Sequence, residues 1–478
     1  MSNRIIVIAL LMVLMTGCSM IPEYKRPALP VTDNWPTGST YPTTDSHGKA
    51  LNGKASDDIV SDIAWKDYFK SNILKTLIKR ALENNRDLRV ALFNIEKAKA
   101  AYRIQRADTF PVISGVGSVS RSGVPEDISG TGKSVTRSNL SANLAVTAYE
   151  LDFFGRIGSL NQKALEAYLS TEEAALNTRI ALIAETAESY LAYLAEKKLF
   201  LLAKNTLDAY EKTHDVVKLQ YDVGSATQLD LAQATTSVES AKASIAQYTR
   251  LMAQAKNACT LLAGTFVDDL LDGKDTIDDL WFMETLPQEL PSSILMVRPD
   301  IRQAEHQLKA ANADIGAARA ALYPSISLTS TFGLASDSLS ALVKSGAAYA
   351  WNFAPLVSMP IFNREGLNAS LEVARVNEKI AAAEYEAVIQ VAFKEVADQL
   401  AARGTYKDQL AAQDALVTAT RITYDLSSAR YQNGIDNFLT VLDSQRSLFA
   451  AEQTAVTVKQ AYLSNLVTMY KVLGGGQL

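Results

Sequence analysis

The sequence predicts an α+β membrane protein built from two similar halves, each containing two strands and a long helical hairpin. A stretch of the first half recurs in the second half at a constant offset, so that Asp87 matches Asp300. Proline is absent from residues 126–286 and 361–478, which permits very long uninterrupted helices. The chain also begins like an exported protein.

The composition excludes several functional classes. The 478 residues are 48% apolar and 21% charged with a net charge of −5, which suits neither a disordered chain nor a nucleic-acid partner. Two cysteines are too few for a disulfide scaffold or a zinc module. Because His47, His214 and His306 lie far apart in sequence, we expect no histidine-rich metal site and no cofactor.

The N-terminal residues predict export and lipidation. Arg4 precedes an apolar run that is too short to span a bilayer core of about 30 Å. The run ends in Met15-Thr-Gly-Cys18, which has the pattern of a bacterial lipobox. We therefore assign residues 1–17 to a signal peptide and Cys18 to an acylated lipid anchor, such as palmitate. The alternative is an ordinary signal peptide with an incidental cysteine.

The first half, residues 86–264, begins with an amphipathic helix that ends near Phe110-Pro111. Alternation of apolar and polar residues then predicts strands over 112–121 and 138–153, joined by a Gly/Ser-rich loop. The side chains predicted to share the apolar face of the second strand are Leu140, Ala142, Leu144, Val146 and Ala148. Tyr149 is predicted on the opposite face.

A long helix follows, from Arg156 to about Tyr221. Apolar residues from Leu176 to Leu194 alternate between four- and three-residue spacing, which is typical of coiled-coil packing. A helix of this length would extend about 100 Å. Asp222-Val-Gly-Ser225 predicts a turn, after which a returning helix covers 228–263.

The second half, residues 299–473, repeats this order, with strands predicted over 325–334 and 350–361. Each run is about ten residues long, which is the length that a tilted strand needs to cross a bilayer. The alternative is the half-buried sheet of a soluble protein, and the export signal favours the outer membrane.

Four strands cannot close a barrel. Open edges in hydrocarbon would leave unpaired amides that cost several kcal/mol each, so the chain is expected to share its barrel with identical copies. Three copies would give about twelve strands, enough for a water-filled lumen. The composition itself does not fix the number of copies.

Several motifs resemble the outer-membrane factors of tripartite efflux systems, the TolC-like family, and most of all its lipoprotein branch typified by OprM. These motifs are Trp65-Lys-Asp-Tyr-Phe69, Asn84-Asn-Arg-Asp-Leu-Arg89, Tyr149-Glu-Leu-Asp-Phe-Phe-Gly-Arg156, Arg298-Pro-Asp-Ile-Arg302 and Leu473-Gly-Gly-Gly476. The resemblance implies a homotrimer with a 12-stranded outer-membrane β-barrel that continues as a long periplasmic α-helical barrel. An equatorial region would use residues 18–85, an acidic connector over 265–298 and the C-terminal end, before a tail over 474–478.

The resemblance also implies a gate at the periplasmic end of the helices. Leu439 matches the apolar gate ring of the family, and Asp443 matches its acidic ring. The residues that match helix contacts of the closed state are Glu196, Arg430 and Tyr431. The residues at the hairpin tips, where an adaptor or pump would dock, are Gly224, Ser225, Gly434 and Ile435. Without the resemblance, Leu439 would be assigned to a coiled-coil core and the charged residues to solvated helix faces.

The function implied by the resemblance is that of a passive multidrug exit duct, opened by a periplasmic adaptor protein and a proton-driven resistance-nodulation-division (RND) pump of the inner membrane. We expect no enzymatic activity, since the sequence contains no GxSxG, HExxH or paired-cysteine motif. Two alternatives remain, the outer channel of type I protein secretion and a non-conducting structural trimeric coiled-coil lipoprotein. A heavy-metal exporter is a weaker variant, because no Met- or His-rich stripe lines a predicted helix face.

Overall fold

The computed structural model describes residues 19–36, 38, 64–130, 132–271, 275–280, 282, 292–343 and 348–475. The predicted signal peptide and Cys18 lie outside these residues. The helices are α1 (Trp65–Tyr68), α2 (Asn72–Asn84), α3 (Arg86–Ala107), α4 (Arg156–Asp222), α5 (Gln228–Ala263), α6 (Asp268–Leu271), α7 (Pro299–Ala320), α8 (Leu339–Val343), α9 (Arg364–Gln432) and α10 (Phe438–Val472). The strands are β1 (Ile113–Val124), β2 (Val135–Leu151), β3 (Ser325–Ser336) and β4 (Ala348–Ser358).

Among these residues, none of the helices combines the length and the apolar character that a membrane crossing requires.

The chain folds into two compact units, and each unit combines segments from both halves of the sequence. The first unit consists of Met1–Pro27, Ile95–Thr171 and Gln303–Tyr385. The second consists of Ala28–Asn94, Glu172–Arg302 and Glu386–Leu478. The two halves of the repeat are therefore interleaved in space, and neither half forms a unit by itself.

The first unit contains one antiparallel sheet with the strand order β1-β2-β3-β4. Its two faces differ in polarity. Leu144, Phe332 and Trp351 lie side by side on one face, across three neighbouring strands. The residues next to them along the strands point to the other face, where Thr331 pairs with Asn352. In this chain β1 and β4 are edge strands, each paired on one side.

The strand bounds differ from the predicted 112–121, 138–153, 325–334 and 350–361. β1 and β2 stay paired as far as Val124 and Val135, so the predicted Gly/Ser-rich loop contributes several pairs to the sheet. β3 extends to Ser336, whereas β4 stops at Ser358, two residues before a proline that cannot donate a ladder hydrogen bond.

A bulge in β2 corrects the predicted side-chain faces. The register shifts between Val146 and Tyr149, and Ala148 takes a φ of 51°. Val146 pairs with Ser330 and Tyr149 pairs with Leu328, which share a face of β3. Tyr149 therefore lies on the same face as Val146, contrary to the prediction, because the bulge adds a residue to the alternation.

The second unit has an aromatic core that explains one of the family motifs. Tyr68, Phe69 and Tyr470 are fully buried, and their rings contact one another with centroids 5.0–5.5 Å apart. The Tyr68 hydroxyl donates to the carbonyl of Leu466 at 2.7 Å. The motif that begins at Trp65 is thus a packing element, and its buried hydroxyl is satisfied.

The returning helices of both hairpins end on equivalent polar residues. Asn85 caps α3 and donates from Nδ2 to the carbonyl of Leu262 near the end of α5, at 3.0 Å. In the second half Arg298 donates from Nη1 to the carbonyl of Val472 at the end of α10, at 2.7 Å. Each bond satisfies a carbonyl that the helix itself leaves without a partner. Asn85 and Arg298 occupy matching repeat positions, so the duplicated chain makes the same connection twice.

Candidate functional site

The hairpin tips turn at glycines in the left-handed region, with φ of 80° at Gly224 and 70° at Gly434. The two turns share one hydrogen-bond pattern, in which the glycine N–H and the next N–H donate to carbonyls in the last turn of the helix. The donor and acceptor pairs are Gly224 to Tyr221, Ser225 to Gln220, Gly434 to Tyr431 and Ile435 to Arg430, at 2.7–2.9 Å. All four predicted tip residues therefore lie in these turns.

An apolar cluster joins the two hairpins just above their tips. Its buried members are Val217, Ala234, Phe438 and Leu442, with Tyr431 packed against them. The Tyr431 hydroxyl donates to Oε1 of Gln220 in the other hairpin at 2.7 Å. Tyr431 is therefore a direct polar connection between α9 and α4.

Arg430 makes its contact within its own hairpin. Its guanidinium donates from Nε and Nη2 to the carboxylate of Asp436, at 2.7 and 2.9 Å. These bonds hold the pKa of Asp436 below its ordinary value. The pair spans the turn at Gly434 and fixes the geometry of the tip, while both groups remain in contact with solvent.

Leu439 and Asp443 lie one turn apart on the same face of α10. Leu439 is 51% exposed, and Asp443 is also exposed. The adjacent face of the helix buries Phe438 and Leu442 in the cluster. Within one chain Leu439 is therefore not a coiled-coil core residue, and α10 presents an apolar and an acidic side chain together.

Glu196 lies elsewhere. It is on α4 with Gln220, but about 36 Å away along the helix at 1.5 Å per residue. Its Oε2 is buried without a hydrogen-bond partner, and burial raises the pKa of the carboxyl. The structure of one chain thus brings Arg430 and Tyr431 together but not Glu196, whose role in a closed-state helix contact remains a prediction.

Sequence reasoning missed two partners at the tips, Gln220 and Asp436. The sequence could have predicted the Asp436 contact, since a carboxylate that follows a helix-ending glycine can reach back to a cation in the last turn of the helix. Gln220 had none, because its contact depends on how the hairpins pack. In the described part of the chain, no group of three or more His, Cys, Asp or Glu side chains could hold a metal ion.

An open antiparallel sheet with one apolar face and two long hairpins with matching tips define a class of proteins that combine an amphipathic sheet with long helical hairpins. The model of the outer membrane efflux protein family matches residues 77–265 and 290–475. The chain belongs to this family, which confirms the resemblance drawn from the motifs.

Individual relatives of the chain support the same family assignment. The chain is 45% identical over 476 residues to the antibiotic efflux pump outer membrane protein ArpC of Pseudomonas putida, covering 100% of this chain and 96% of that protein. It is 39% identical over 462 residues to the cation efflux system protein CusC of Escherichia coli O157:H7, covering 97% and 96%. The open-state structure of the MtrE outer membrane channel of Neisseria gonorrhoeae matches with a TM-score of 0.85 at 34% identity, covering 96% and 99%. These findings support an outer-membrane efflux role over protein secretion and over a non-conducting scaffold.

Proposed function

We propose that this chain is one third of a passive multidrug exit duct, a homotrimer that spans the outer membrane and is gated at its periplasmic hairpin tips. The observation that carries the proposal is the open four-stranded sheet with unlike faces. Three copies joined edge to edge would pair the strands β1 and β4 and close about twelve strands around a polar lumen. Closure removes unpaired amides that hydrocarbon cannot satisfy.

The apolar face of the sheet supports contact with lipid. Its large side chains are exposed in the single chain, with Trp351 at 74%, Phe353 at 61% and Phe332 at 58%. A soluble monomer rarely exposes a continuous apolar surface of this kind. The small and polar residues of the opposite face suit a water-filled channel.

The tips supply the proposed gate. In a threefold assembly, Leu439 would form an apolar ring that resists wetting, and Asp443 would form an acidic ring that repels itself unless cations bind. The Tyr431–Gln220 bond holds the second hairpin against the first in one chain, and Glu196 would add a further helix contact of the closed state. Opening would swing the second hairpin outward once these contacts break.

The duct needs partners to drive transport. The gate described above can open or close the passage, but it supplies no energy for moving the cargo. A periplasmic adaptor protein would bind the tips at Gly224, Ser225, Gly434 and Ile435, and an RND-type inner-membrane pump would drive the cargo. Acylation of Cys18 would anchor each chain to the outer membrane as well. Because ArpC is an antibiotic efflux component, we assign organic drugs as the cargo class.

The proposal is tested with protein extracted from outer membranes in mild detergent. Light scattering should give the mass of three chains, and planar bilayers should show small, cation-selective conductance that purified adaptor increases. ATP turnover should not copurify with the trimer. A monomer, or a trimer that stays silent with adaptor and in gate variants, would contradict the proposal and favour a scaffold.

A further inference from the structure

The segment that follows the predicted anchor runs along one face of α7. We call this segment, Ser19–Arg26, the strap. Its contacts, from the C-terminal to the N-terminal end of the strap, are Arg26 with Glu305, Pro22 with Asn312, Ile21 with Gly316 and Met20 with Arg319. Strap numbers fall while helix numbers rise, so the strap is antiparallel to α7. The Ser19 end lies at the C-terminal end of the helix.

The strap is about as long as the stretch of α7 that it contacts. A fully extended chain from Met20 to Arg26 reaches about 20 Å. The helical rise from Glu305 to Arg319 is about 21 Å. The two lengths agree, so the strap follows α7 between its first and last contacts, with one bend at Ile21. The side chains of Arg26 and Arg319 make the contacts at its two ends, and its N-terminal end stays beside the C-terminal end of α7 while those contacts hold.

Glu305 clamps the C-terminal end of the strap. Its side chain is only 7% exposed and accepts from Nε and Nη2 of Arg26 at 2.8–3.0 Å and from the Tyr24 hydroxyl at 3.2 Å. Lys309 adds an ion pair at 3.3 Å and lies over the Tyr24 ring. Burial opposes ionisation, yet the bonds and charges of Arg26 and Lys309 keep the pKa of Glu305 below its ordinary value. A buried carboxylate with these partners is a strong fixed point.

Gly316 and a comparison of α7 with its repeat equivalent α3 indicate that the strap site is a feature of α7. A β carbon on Gly316 would lie 2.6 Å from Ser159 Oγ on α4 and 2.9 Å from the Ile21 α carbon, so glycine lets both α4 and the strap backbone approach this closely. The equivalent positions on α3, in the first half of the repeat, are Leu92 for Glu305 and Arg103 for Gly316. The duplicated helix therefore has neither the clamp nor the gap, and the strap site is specific to α7.

The Ser19 end of the strap lies beside the end of α7 from which the chain enters the sheet. α7 ends at Ala320, and β3 begins at Ser325. Exposed apolar side chains flank this end of the sheet just outside β1 and β4, namely Phe110, Val112, Ile361 and Phe362. Side chains of this kind fit the boundary between acyl chains and headgroups.

We propose that the strap acts as a ruler, meaning that it fixes the height of the lipid anchor relative to the end of the sheet. Glu305 is the clamp that holds the C-terminal end of the strap, and Gly316 lets the strap backbone pack closely against α7. The inference rests on the proposed acylation of Cys18, which directly precedes the strap. Its partner is the periplasmic leaflet of the outer membrane, into which the acyl chains and the apolar collar insert at one height.

The clamp is tested by trypsin cleavage after Lys25, an exposed residue next to Arg26, because a strap docked on α7 should be cut more slowly than a strap that has lifted off. In proteoliposomes of the full chain, Glu305→Gln should speed this cleavage roughly ten-fold or more, because a hydrogen-bonded charge is lost. Glu23→Gln, the same change at an exposed strap residue, is the matched control and should leave the rate unchanged. Equal rates in native and Glu305→Gln protein would overturn the clamp.

The ruler is tested by removing Ser19 and Met20, which shortens the chain between the acylated Cys18 and the rest of the strap by about 7 Å. The acylated deletion variant should be cleaved faster in liposomes, since the strap cannot stay docked while the lipid stays inserted. A Cys18→Ala version of the same deletion, exported with an ordinary signal peptide, should not be. Equal rates in the two versions would overturn the ruler. Mass spectrometry of the N-terminal peptide separates the two proposals, because absence of acyl groups would refute the anchor itself, whereas the Glu305→Gln result stands without it.

Discussion

Single residues of the second hairpin tip decide whether the proposed gate exists. Leu439→Ala and Asp443→Ala should each raise single-channel conductance severalfold, because the narrowest part of the pore loses apolar bulk or the carboxylates that would hold a cation across it. Conductance of the purified protein in planar bilayers measures this. The control is Leu229→Ala, at the equivalent place in the first hairpin, where the leucine is 65% exposed. Equal increases from both hairpins would refute a gate confined to the second.

Gly264, which ends α5, is required both for its backbone conformation and for close packing against a neighbouring segment. Its φ is 64°, and a β carbon there would lie 2.5 Å from the carbonyl oxygen of Asn84. Gly264→Ala should destabilise the protein by about 2 kcal/mol or more, since strain and overlap add. Gly434→Ala has a similar φ of 70° with no atom within 4 Å, so it should cost only about 1 kcal/mol. Thermal unfolding followed by circular dichroism compares them, and equal losses would exclude the steric contribution.

Whole elements would move in the proposed opening, and the Tyr431–Gln220 bond connects two of them, α9 and α4. A variant with both residues changed to cysteine should conduct more than the native protein, because the connection between α4 and α9 is lost. A short bismaleimide that bridges the two cysteines should bring the conductance back down. Cys259 is buried and does not compete for the reagent. The conductance of each single-cysteine variant should not change with the reagent. If the conductance of the double variant did not change either, the hairpins would not need to separate.

Helices were predicted more accurately than strands, for physical reasons. The returning helix over 228–263 has the predicted bounds, because apolar spacing continues without a break until Gly264 ends it. The paired ends of β1 and β2 include Ser122, Gly123 and Thr136, residue types that also suit loops, so their place in the sheet depends on the partner strand. The bulge at Ala148 has no local sequence signal at all.

Contacts between distant segments account for what the sequence could not predict at the candidate site. The exposed face shared by Leu439 and Asp443 follows from helical spacing once the helix is known. The Tyr431–Gln220 bond and the Glu305 clamp join residues from different elements, and only packing brings them together. The family resemblance named Glu196 alongside Arg430 and Tyr431, yet within one chain it lies far from both.

At the scale of the whole molecule, the proposal predicts a cellular role that separates efflux from secretion. A strain that lacks the protein should become more susceptible to apolar antibiotics, because a pump without an outer duct releases its cargo into the periplasm. Minimum inhibitory concentrations across a panel of drugs, with copper and silver salts as the comparison, measure this. The native gene should restore resistance, and the gene with Asp436→Asn should restore it as well if the Arg430 pair only shapes the tip. Unchanged drug susceptibility together with the loss of a secreted protein would assign the duct to protein export instead.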